Sequence, residues 1–204
     1  MLQQAQAISL PRRAQLALFA RNFLKHPRML GSVIPSSRFL IRQVLRQVDW
    51  EQARVIVEYG PGVGTFTTEI LARMRPDARL VVFETNEDFV QFLRSAISDP
   101  RLIVLHESAA EIGAVLSRHG LDQADYVISG IPFSTMPAAV RSSILRATRE
   151  ALRPGGAFLV YQFSGSVLTH LRREFGHVEH GFEPRNVLPA RWFKCQVKAQ
   201  PVVV

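Results

Sequence analysis

The stretch Val55-Ile56-Val57-Glu58-Tyr59-Gly60-Pro61-Gly62-Val63-Gly64 decides how this chain is read. An apolar, β-branched run predicts a buried strand and leads straight into three glycines at alternate positions. Thr65-Phe66-Thr67-Thr68-Glu69-Ile70-Leu71 then reads as the start of a helix. Strand, glycine turn and helix N-terminus together form a cradle for a nucleotide-type cofactor. Glycine lets the backbone turn sharply and lets a ligand approach with no Cβ in the way. The next apolar run, Leu80-Val81-Val82-Phe83, ends in Glu84, 20 residues past Gly64. A ribose-binding carboxylate is expected at that distance.

The spacing of the glycines separates two cofactor classes. Dinucleotide binders favour G-x-G-x-x-G, whose loop faces a pyrophosphate. Here the glycines fall at 60, 62 and 64, and Glu58 stands two residues before the first. That E-x-G-x-G-x-G pattern resembles the first motif of class I S-adenosylmethionine-dependent methyltransferases. An acid at this place suits a cofactor with a cationic amino-acid end and would repel a pyrophosphate. A plain strand-to-helix turn is disfavoured, because a three-glycine loop gives up backbone entropy that an ordinary turn keeps. The resemblance implies S-adenosyl-L-methionine as cofactor, S-adenosyl-L-homocysteine as product, and no metal. It also implies cofactor contacts at Glu58, Tyr59, Gly60, Gly62, Gly64, Thr65, Glu84, Thr85, Ser108, Ala109 and Ser129.

Downstream of residue 54, apolar runs alternate with helical patterns. Strands are predicted at 54–59, 79–84, 102–106, 125–130 and 157–163, and helices at 64–74, 87–98, 109–119 and 137–152. This alternation indicates an α/β fold: a Rossmann-like, mostly parallel twisted sheet with helices on both faces. Pro154-Gly155-Gly156 reads as a turn before the fifth strand. Residues 177–182 and 193–199 alternate in polarity and suggest a closing antiparallel pair. The chain divides into a basic helical extension, 1–50, and a methyltransferase domain, 51–204.

Composition narrows the partners. The net charge is +8 and is unevenly placed. Residues 1–54 carry nine Lys/Arg against two Asp/Glu, residues 55–164 ten against twelve, and residues 165–204 six against three. The cofactor core is thus mildly acidic, while the basic flanks point to an anionic partner such as a membrane surface or a nucleic acid. The single cysteine, Cys195, excludes an intrachain disulfide and disfavours a cysteine metal cluster. His177 and His180 have no third ligand clustered with them, so they read as exposed polar residues. No run approaches ~18 apolar residues, the length of a membrane span, and residues 1–10 lack a signal-peptide pattern. A cytoplasmic, monomeric enzyme is expected.

Within the extension, Leu16, Phe19, Ala20, Phe23 and Leu24 form one apolar helical face. Arg12, Arg13, Arg21 and Lys25 supply the charge around it. Such a helix either lies in a lipid interface or packs on the domain with its charges in water. A second helix is predicted over 39–48, with Ser36 or Ser37 as its cap. A hydroxyl, free N–H groups and Arg38 at that helix start also suit an anion.

Further segments narrow the resemblance. Pro27-Arg28-Met29-Leu30-Gly31-Ser32-Val33-Ile34-Pro35-Ser36-Ser37, the glycine loop, Ser129-Gly130-Ile131-Pro132-Phe133, Tyr161-Gln162-Phe163 and Arg185-Asn186-Val187-Leu188-Pro189-Ala190-Arg191 occur in this order. Together they resemble the soluble bacterial phospholipid N-methyltransferases over nearly the whole chain. That resemblance implies a peripheral enzyme at the inner face of the membrane, methylating phosphatidylethanolamine stepwise toward phosphatidylcholine. It places the chemistry at Gly130, Ile131, Pro132, Phe133 and Tyr161, and headgroup binding at Ser36, Ser37, Gln162, Arg185 and Arg191. Membrane contact falls to Arg12, Arg13, Phe19, Arg21, Phe23 and Lys25.

Two positions depart from the family pattern. Ser108 stands where many relatives carry an aspartate, and Ile131-Pro132-Phe133 replaces a leucine-containing sequence. Phe133 and Tyr161 are candidates for cation–π contact with a methylammonium, and Tyr161 for the proton acceptor. A ribosomal RNA adenine N6-methyltransferase is the first rival. It would normally carry asparagine where Gly130 stands, and RNA binding calls for more exposed stacking aromatics. Another amine lipid, such as ornithine lipid, is the second rival, and nothing in the sequence separates its headgroup from ethanolamine. A binding module on an inactive methyltransferase fold is opposed by the intact glycine loop and Glu84.

Overall fold

The computed structural model describes residues 36–197. Seven strands form one sheet in the order β3-β2-β1-β4-β5-β7-β6. In chain order the elements are α1 (Arg38–Leu45), β1 (Val55–Tyr59), α2 (Thr65–Leu71), β2 (Arg79–Phe83), α3 (Glu87–Ala96) and β3 (Leu102–Leu105). Then follow a 3₁₀ turn (Ala109–Glu111), α4 (Ile112–Arg118), β4 (Ala124–Ser129), a second 3₁₀ turn (Phe133–Thr135) and α5 (Ala138–Ala151). The chain continues with β5 (Leu152–Gln162), α6 (Leu168–Phe175), β6 (Val178–Glu183) and β7 (Ala190–Gln196). The first five strands are parallel, and β7 runs antiparallel to both β5 and β6.

Alternation along each strand sends side chains to two cores. Ile56, Leu80, Val82, Ile128 and Leu159 join the apolar faces of α1, α2 and α3. Val57, Tyr59, Val81, Val127, Phe158 and Val160 pack with α4, α5 and α6. Helix α1 lies in the first of these cores, with Leu40, Ile41, Val44 and Leu45 buried. Being buried on both faces explains why β1, β2 and β4 read as continuous apolar runs rather than alternating ones.

The connections fix where a ligand goes. From β1 the chain builds outward through β2 to β3, then returns to place β4 on the other side of β1. The crevice at the carboxyl ends of β1 and β4 is therefore the switch point where open α/β sheets hold their ligands. Tyr59-Gly60 and Ser129-Gly130 sit there side by side, with Tyr59 and Ser129 in register.

Three details differ from the sequence reading. Strand β5 begins at Leu152, so Pro154-Gly155-Gly156 lies inside a bulged strand, where the register to β4 shifts. A Cβ on Gly156 would lie 2.9 Å from the Arg153 carbonyl and 3.0 Å from that of Asp125, too close for any side chain. Helix α6 was not anticipated, because its eight residues are mostly polar and only Leu171 and Phe175 are buried. Helix α2 stops at Leu71 rather than at residue 74. Among the described residues no helix is long and apolar enough to cross a membrane. The expected lipid-facing residues Arg12, Arg13, Phe19, Arg21, Phe23 and Lys25 lie outside the described residues.

Candidate active site

All three glycines of the loop adopt the left-handed conformation, at φ +65° (Gly60), +56° (Gly62) and +77° (Gly64). L side chains rarely tolerate it, which is why glycine recurs at alternate positions. Space is short as well. A Cβ on Gly60 would sit 2.6 Å from Ile131 Cγ2, and one on Gly64 2.7 Å from Leu93 Cδ2. Gly60 is thus where the loop after β1 touches the loop after β4. The two loops extend the sheet ladder, with Gly60 N donating to the Phe83 carbonyl (2.9 Å) and Gly130 N to that of Tyr59 (3.1 Å).

Two buried acids face this loop. Glu58 is 1% exposed and uses Oε2 to accept from the Thr67 hydroxyl at 2.7 Å. Its other oxygen, Oε1, is buried with no partner. Burial pushes the Glu58 carboxyl up to about 8; the Thr67 hydrogen bond opposes that shift and the nearby Glu84 adds to it. Glu84 accepts from Asn86 N (2.9 Å) and from Gly62 N (3.4 Å). Burial raises its pKa too, against those backbone hydrogen bonds. An orphaned buried carboxylate oxygen is costly unless something donates to it. Two acids beside a side-chain-free loop suit a ligand that brings positive charge and hydroxyl donors. S-adenosylmethionine, with its ammonium, sulfonium and ribose hydroxyls, meets that demand. Glu58 would serve the cationic end and Glu84 the ribose.

The remaining expected cofactor contacts fall around the same edge. Thr65 opens α2 directly after Gly64. Thr85 follows Glu84, and its carbonyl meets His106 Nε2 at 3.0 Å. Ser108 caps the 3₁₀ turn through Ala110 N (3.3 Å), so its hydroxyl already has a structural use beside the buried Ala109. Ser129 is fully buried, with Oγ accepting from Ile131 N at 3.4 Å. Tyr59 is different. Its side chain points into the core, and its hydroxyl pairs with Thr148 Oγ1 at 3.0 Å. Only its backbone belongs to the site.

Across the crevice, Gly130 and Tyr161 form one unit. A Cβ on Gly130 would lie 2.4 Å from the Tyr161 hydroxyl oxygen and 2.7 Å from Cζ. The tyrosine therefore fills the volume that an asparagine or aspartate at 130 would occupy. Its ring stacks on Phe66 of α2, with centroids 4.3 Å apart and planes at 12°. Its hydroxyl bonds to the Ser36 side chain. Tyr161 thereby joins the helix after the glycine loop, the loop after β4 and Ser36, just before α1. Burial, with the charge of Glu58 added, pushes its pKa well above the ordinary tyrosine value. The hydroxyl stays protonated at neutral pH and positions a partner rather than storing a proton, against the expectation of a proton acceptor.

Phe133 also differs from its expected role. It is fully buried and meets Phe158 edge-on at 6.0 Å, on the sheet face opposite Tyr161. A ring with no exposed face has none to offer a methylammonium. Ile131 leans over Gly60, and Pro132 leads into the 3₁₀ turn that carries Phe133.

Ser37, which ends the first of the quoted segments, meets Asn186 of the last. Ser37 caps α1 through Leu40 N (3.3 Å), and its own N–H donates to Asn186 Oδ1 at 2.7 Å. Asn186 is buried and donates from Nδ2 to the Leu188 carbonyl at 2.9 Å. Arg185 is bound to Glu183 at 2.9 and 3.2 Å and lies 4.1 Å over the Phe39 ring, so its charge is already paired. Arg191 lies 5.5 Å over the Phe182 ring, against Gly165. Gln162 is buried on the opposite face from Tyr161, with Nε2 donating to the Ser164 carbonyl (2.7 Å) and Oε1 unpartnered. Phe66, Thr67 and Asn186 were missed as site residues. A hydroxyl one helical turn past the glycine loop was the available signal for Thr67, and Asn186 stands in the quoted segment 185–191; no local pattern marks Phe66.

A glycine cradle, paired acids and a switch-point crevice define the class I S-adenosylmethionine-dependent methyltransferases. The structure of the N-methyltransferase NodS from Bradyrhizobium japonicum WM9 shares the fold, with a TM-score of 0.63 at 12% identity, covering 79% of this chain and 96% of that one. The same protein has been solved in complex with S-adenosyl-L-homocysteine. The family model described as ribosomal RNA adenine dimethylase matches residues 23–118. A ribosomal RNA small subunit methyltransferase A from Mycoplasma capricolum is 26% identical over 127 residues, covering 62% of this chain but 45% of that enzyme. An ornithine lipid N-methyltransferase from Singulisphaera acidiphila is 34% identical over 181 residues, covering 88% of this chain and 94% of that enzyme. The chain belongs to the family of that last relative and is an S-adenosylmethionine-dependent N-methyltransferase.

Proposed function

We propose that this enzyme methylates the primary amine of a membrane lipid, with ornithine lipid as the first acceptor to test and phosphatidylethanolamine as the second. The observation that carries the lipid reading is the Gly130–Tyr161 pair. Enzymes that methylate a planar nucleobase amine orient it with an amide side chain in the loop after β4. Here that volume is filled by the Tyr161 hydroxyl. The ribosomal RNA family match ends at residue 118, so it takes in the glycine loop and Ser36-Ser37 but not Gly130, Tyr161 or Asn186. The ornithine lipid N-methyltransferase, by contrast, matches over 181 residues, 88% of this chain. The Arg185-Asn186-Val187-Leu188-Pro189-Ala190-Arg191 segment favours phosphatidylethanolamine as the second reading, through the resemblance drawn from the sequence.

The chemistry asks little beyond placement. S-adenosylmethionine supplies a methyl group on a sulfonium, and the protein must hold a neutral amine in line with it. The Gly130 and Ile131 carbonyls and the Tyr161 oxygen supply acceptors for amine hydrogens at the crevice edge. Without a carboxylate or amide at 130, the pocket wall does not demand two amine hydrogens, so an amine already bearing a methyl group still fits. Arg191 is the cation best placed for an acidic headgroup group, since Arg185 is bound to Glu183. The basic residues 12–25 would hold the enzyme at the inner membrane face, each contributing about 1 kcal/mol near anionic lipid.

The test offers methyl-labelled S-adenosylmethionine with vesicles containing ornithine lipid, vesicles containing phosphatidylethanolamine, or naked ribosomal RNA. Label in lipid is expected, and the better lipid identifies the headgroup. Label in RNA alone overturns the lipid reading.

A further inference from the structure

Exposed large apolar side chains are few among the described residues, and they are not scattered. Phe182 (53% exposed), Val187 (71%) and Leu188 (43%) belong to the β6–β7 hairpin, and only Val140 lies elsewhere. The hairpin loop that carries two of them is firmly built. Glu183, 1% exposed, accepts from Arg185 N at 3.0 Å as well as from its guanidinium. Asn186, buried next to exposed Val187, ties the loop to Ser37 and to Leu188. Buried polar residues thus anchor the loop from below while Val187 and Leu188 are presented to the outside. A loop that served only to turn the chain would be polar on that side.

Guanidinium groups lie along the hairpin that carries this tip and at the adjoining start of α1. Arg185 and Arg38 both lie over the Phe39 ring, at 4.1 and 4.9 Å, and Arg191 lies over Phe182. The hairpin also stands at the mouth of the site. Arg191 pairs in register with Gln162, and Trp192 with Tyr161, at the carboxyl end of β5. An apolar tip with a basic collar matches the interface of an anionic bilayer, where apolar groups sit below the phosphates and arginines at their level. Three apolar side chains are too few for a stable protein interface, which needs ~800 Å² from each partner. Single-stranded RNA would need open aromatic faces, and Arg191 lies over that of Phe182.

We propose that the β6–β7 hairpin is a membrane-docking element that inserts Val187 and Leu188 into an anionic lipid surface and seats the site mouth on the bilayer. It is separate from the basic segment at residues 12–25, and its catalytic consequence rests on the lipid reading above.

The test uses the full-length protein and vesicles of equimolar phosphatidylglycerol and phosphatidylcholine. The double variant Val187→Asp/Leu188→Asp should lose about tenfold or more in vesicle partitioning. Its turnover of vesicle-borne amine lipid should fall in parallel. Its cofactor affinity, and its turnover of the same lipid in detergent micelles, should stay within about twofold of wild type. Unchanged partitioning, or equal losses in vesicles and micelles, overturns the proposal. A polarity-sensitive fluorophore on Val187→Cys gives a second reading, because the native Cys195 is buried. A blue shift with these vesicles supports insertion; no shift, or a shift with RNA alone, overturns it. A wild-type enzyme that docks through the hairpin yet labels no lipid sinks the acceptor reading and leaves the docking surface standing.

Discussion

The cofactor-facing and acceptor-facing halves of the crevice are built in opposite ways. The first is centred on one stretch: Glu58, the three glycines and Thr67 span ten consecutive residues, with Glu84 and the expected contacts Thr85, Ser108 and Ser129 added from further along the chain. The second is assembled from Ser36-Ser37, Gly130-Ile131, Tyr161 and Asn186, segments separated by up to 149 positions. In a local half each residue has its meaning alone, as the left-handed glycines do. In an assembled half the meaning lies in pairs. Gly130 says little until Tyr161 is found in its missing side-chain volume. Where chemistry is shared across a superfamily, a contiguous motif suffices to hold it. Where the acceptor differs between families, the wall is composed of parts that can change together.

The two halves touch at Gly60, and a substitution there should damage both. Gly60→Ala places a methyl group 2.6 Å from Ile131 Cγ2 in a backbone conformation that alanine resists. Overpacking and the strained φ each cost about 1–3 kcal/mol. Calorimetry should show S-adenosylmethionine affinity reduced by about 100-fold or more, with turnover reduced at least as much. A variant that keeps wild-type affinity would show that the loop is softer than its contacts indicate.

Gly130→Asn should separate the halves. The new side chain must displace the Tyr161 hydroxyl, breaking its bond to Ser36 and disturbing its stack on Phe66. Lipid turnover should fall about 100-fold, by the upper range of overpacking costs, while cofactor affinity changes by less than about threefold. The double variant Gly130→Asn/Tyr161→Ala frees the volume and should recover part of the loss. If cofactor affinity falls as far as turnover, Tyr161 belongs to the donor half and the division fails.

The difference in construction also explains what could be read from the sequence. Strands β1, β2 and β4 and the glycine loop were legible because burial on both faces leaves continuous apolar runs, and because positive φ demands glycine. Glu84 was legible through its distance from the loop. The orientation of aromatics was not. Phe133 and Tyr161 look alike in sequence, yet the 3₁₀ turn aims Phe133 into the core, while strand alternation puts Tyr161 on the opposite face. Tyr59 was misread in the same way, since one position along a strand separates the Glu58 face from the Thr148 face. Arg185 read as a free cation because its partner, Glu183, is recognisable only once β6 is known to end there.

A third way to probe the comparison is pH, through Glu58. Its folded pKa, about 8, lies above the ordinary carboxyl value, so the ligand-free protein holds a proton that the unfolded chain releases. This group's contribution to stability is therefore greatest below the unfolded pKa and falls as pH rises toward about 8. A cationic ligand reverses the preference, because it favours the carboxylate. S-adenosylmethionine affinity should rise with pH up to about 8, by as much as about tenfold per unit, with a proton released on binding. Melting temperature of the free protein should move the other way over the same interval. Glu58→Gln should flatten both profiles; an unchanged slope would assign the proton to another group. Gly130 and Tyr161 variants, which leave the acid in place, should keep the slope.

The smallest effect belongs to the tie within the acceptor half. Asn186→Ala removes the acceptor of Ser37 N–H and the donor to the Leu188 carbonyl. A buried donor without a partner costs about 1–3 kcal/mol. For a chain of this length each kcal/mol lowers the melting temperature by roughly 2–4 °C. Asn186→Asp keeps an acceptor for the Ser37 N–H but sets its second carboxylate oxygen against the Leu188 carbonyl, so it should recover only part of the shift. Cofactor affinity should stay within about twofold in both variants, since neither contact touches Glu58 or the glycines. Lipid turnover should follow the order wild type, Asp, Ala, because Ser37 next to Asn186 holds the neighbouring Ser36, which meets the Tyr161 hydroxyl. Equal melting temperatures for the Asp and Ala variants would mean that the Ser37 contact contributes nothing, and that the loop is held by Glu183 and Arg185 alone.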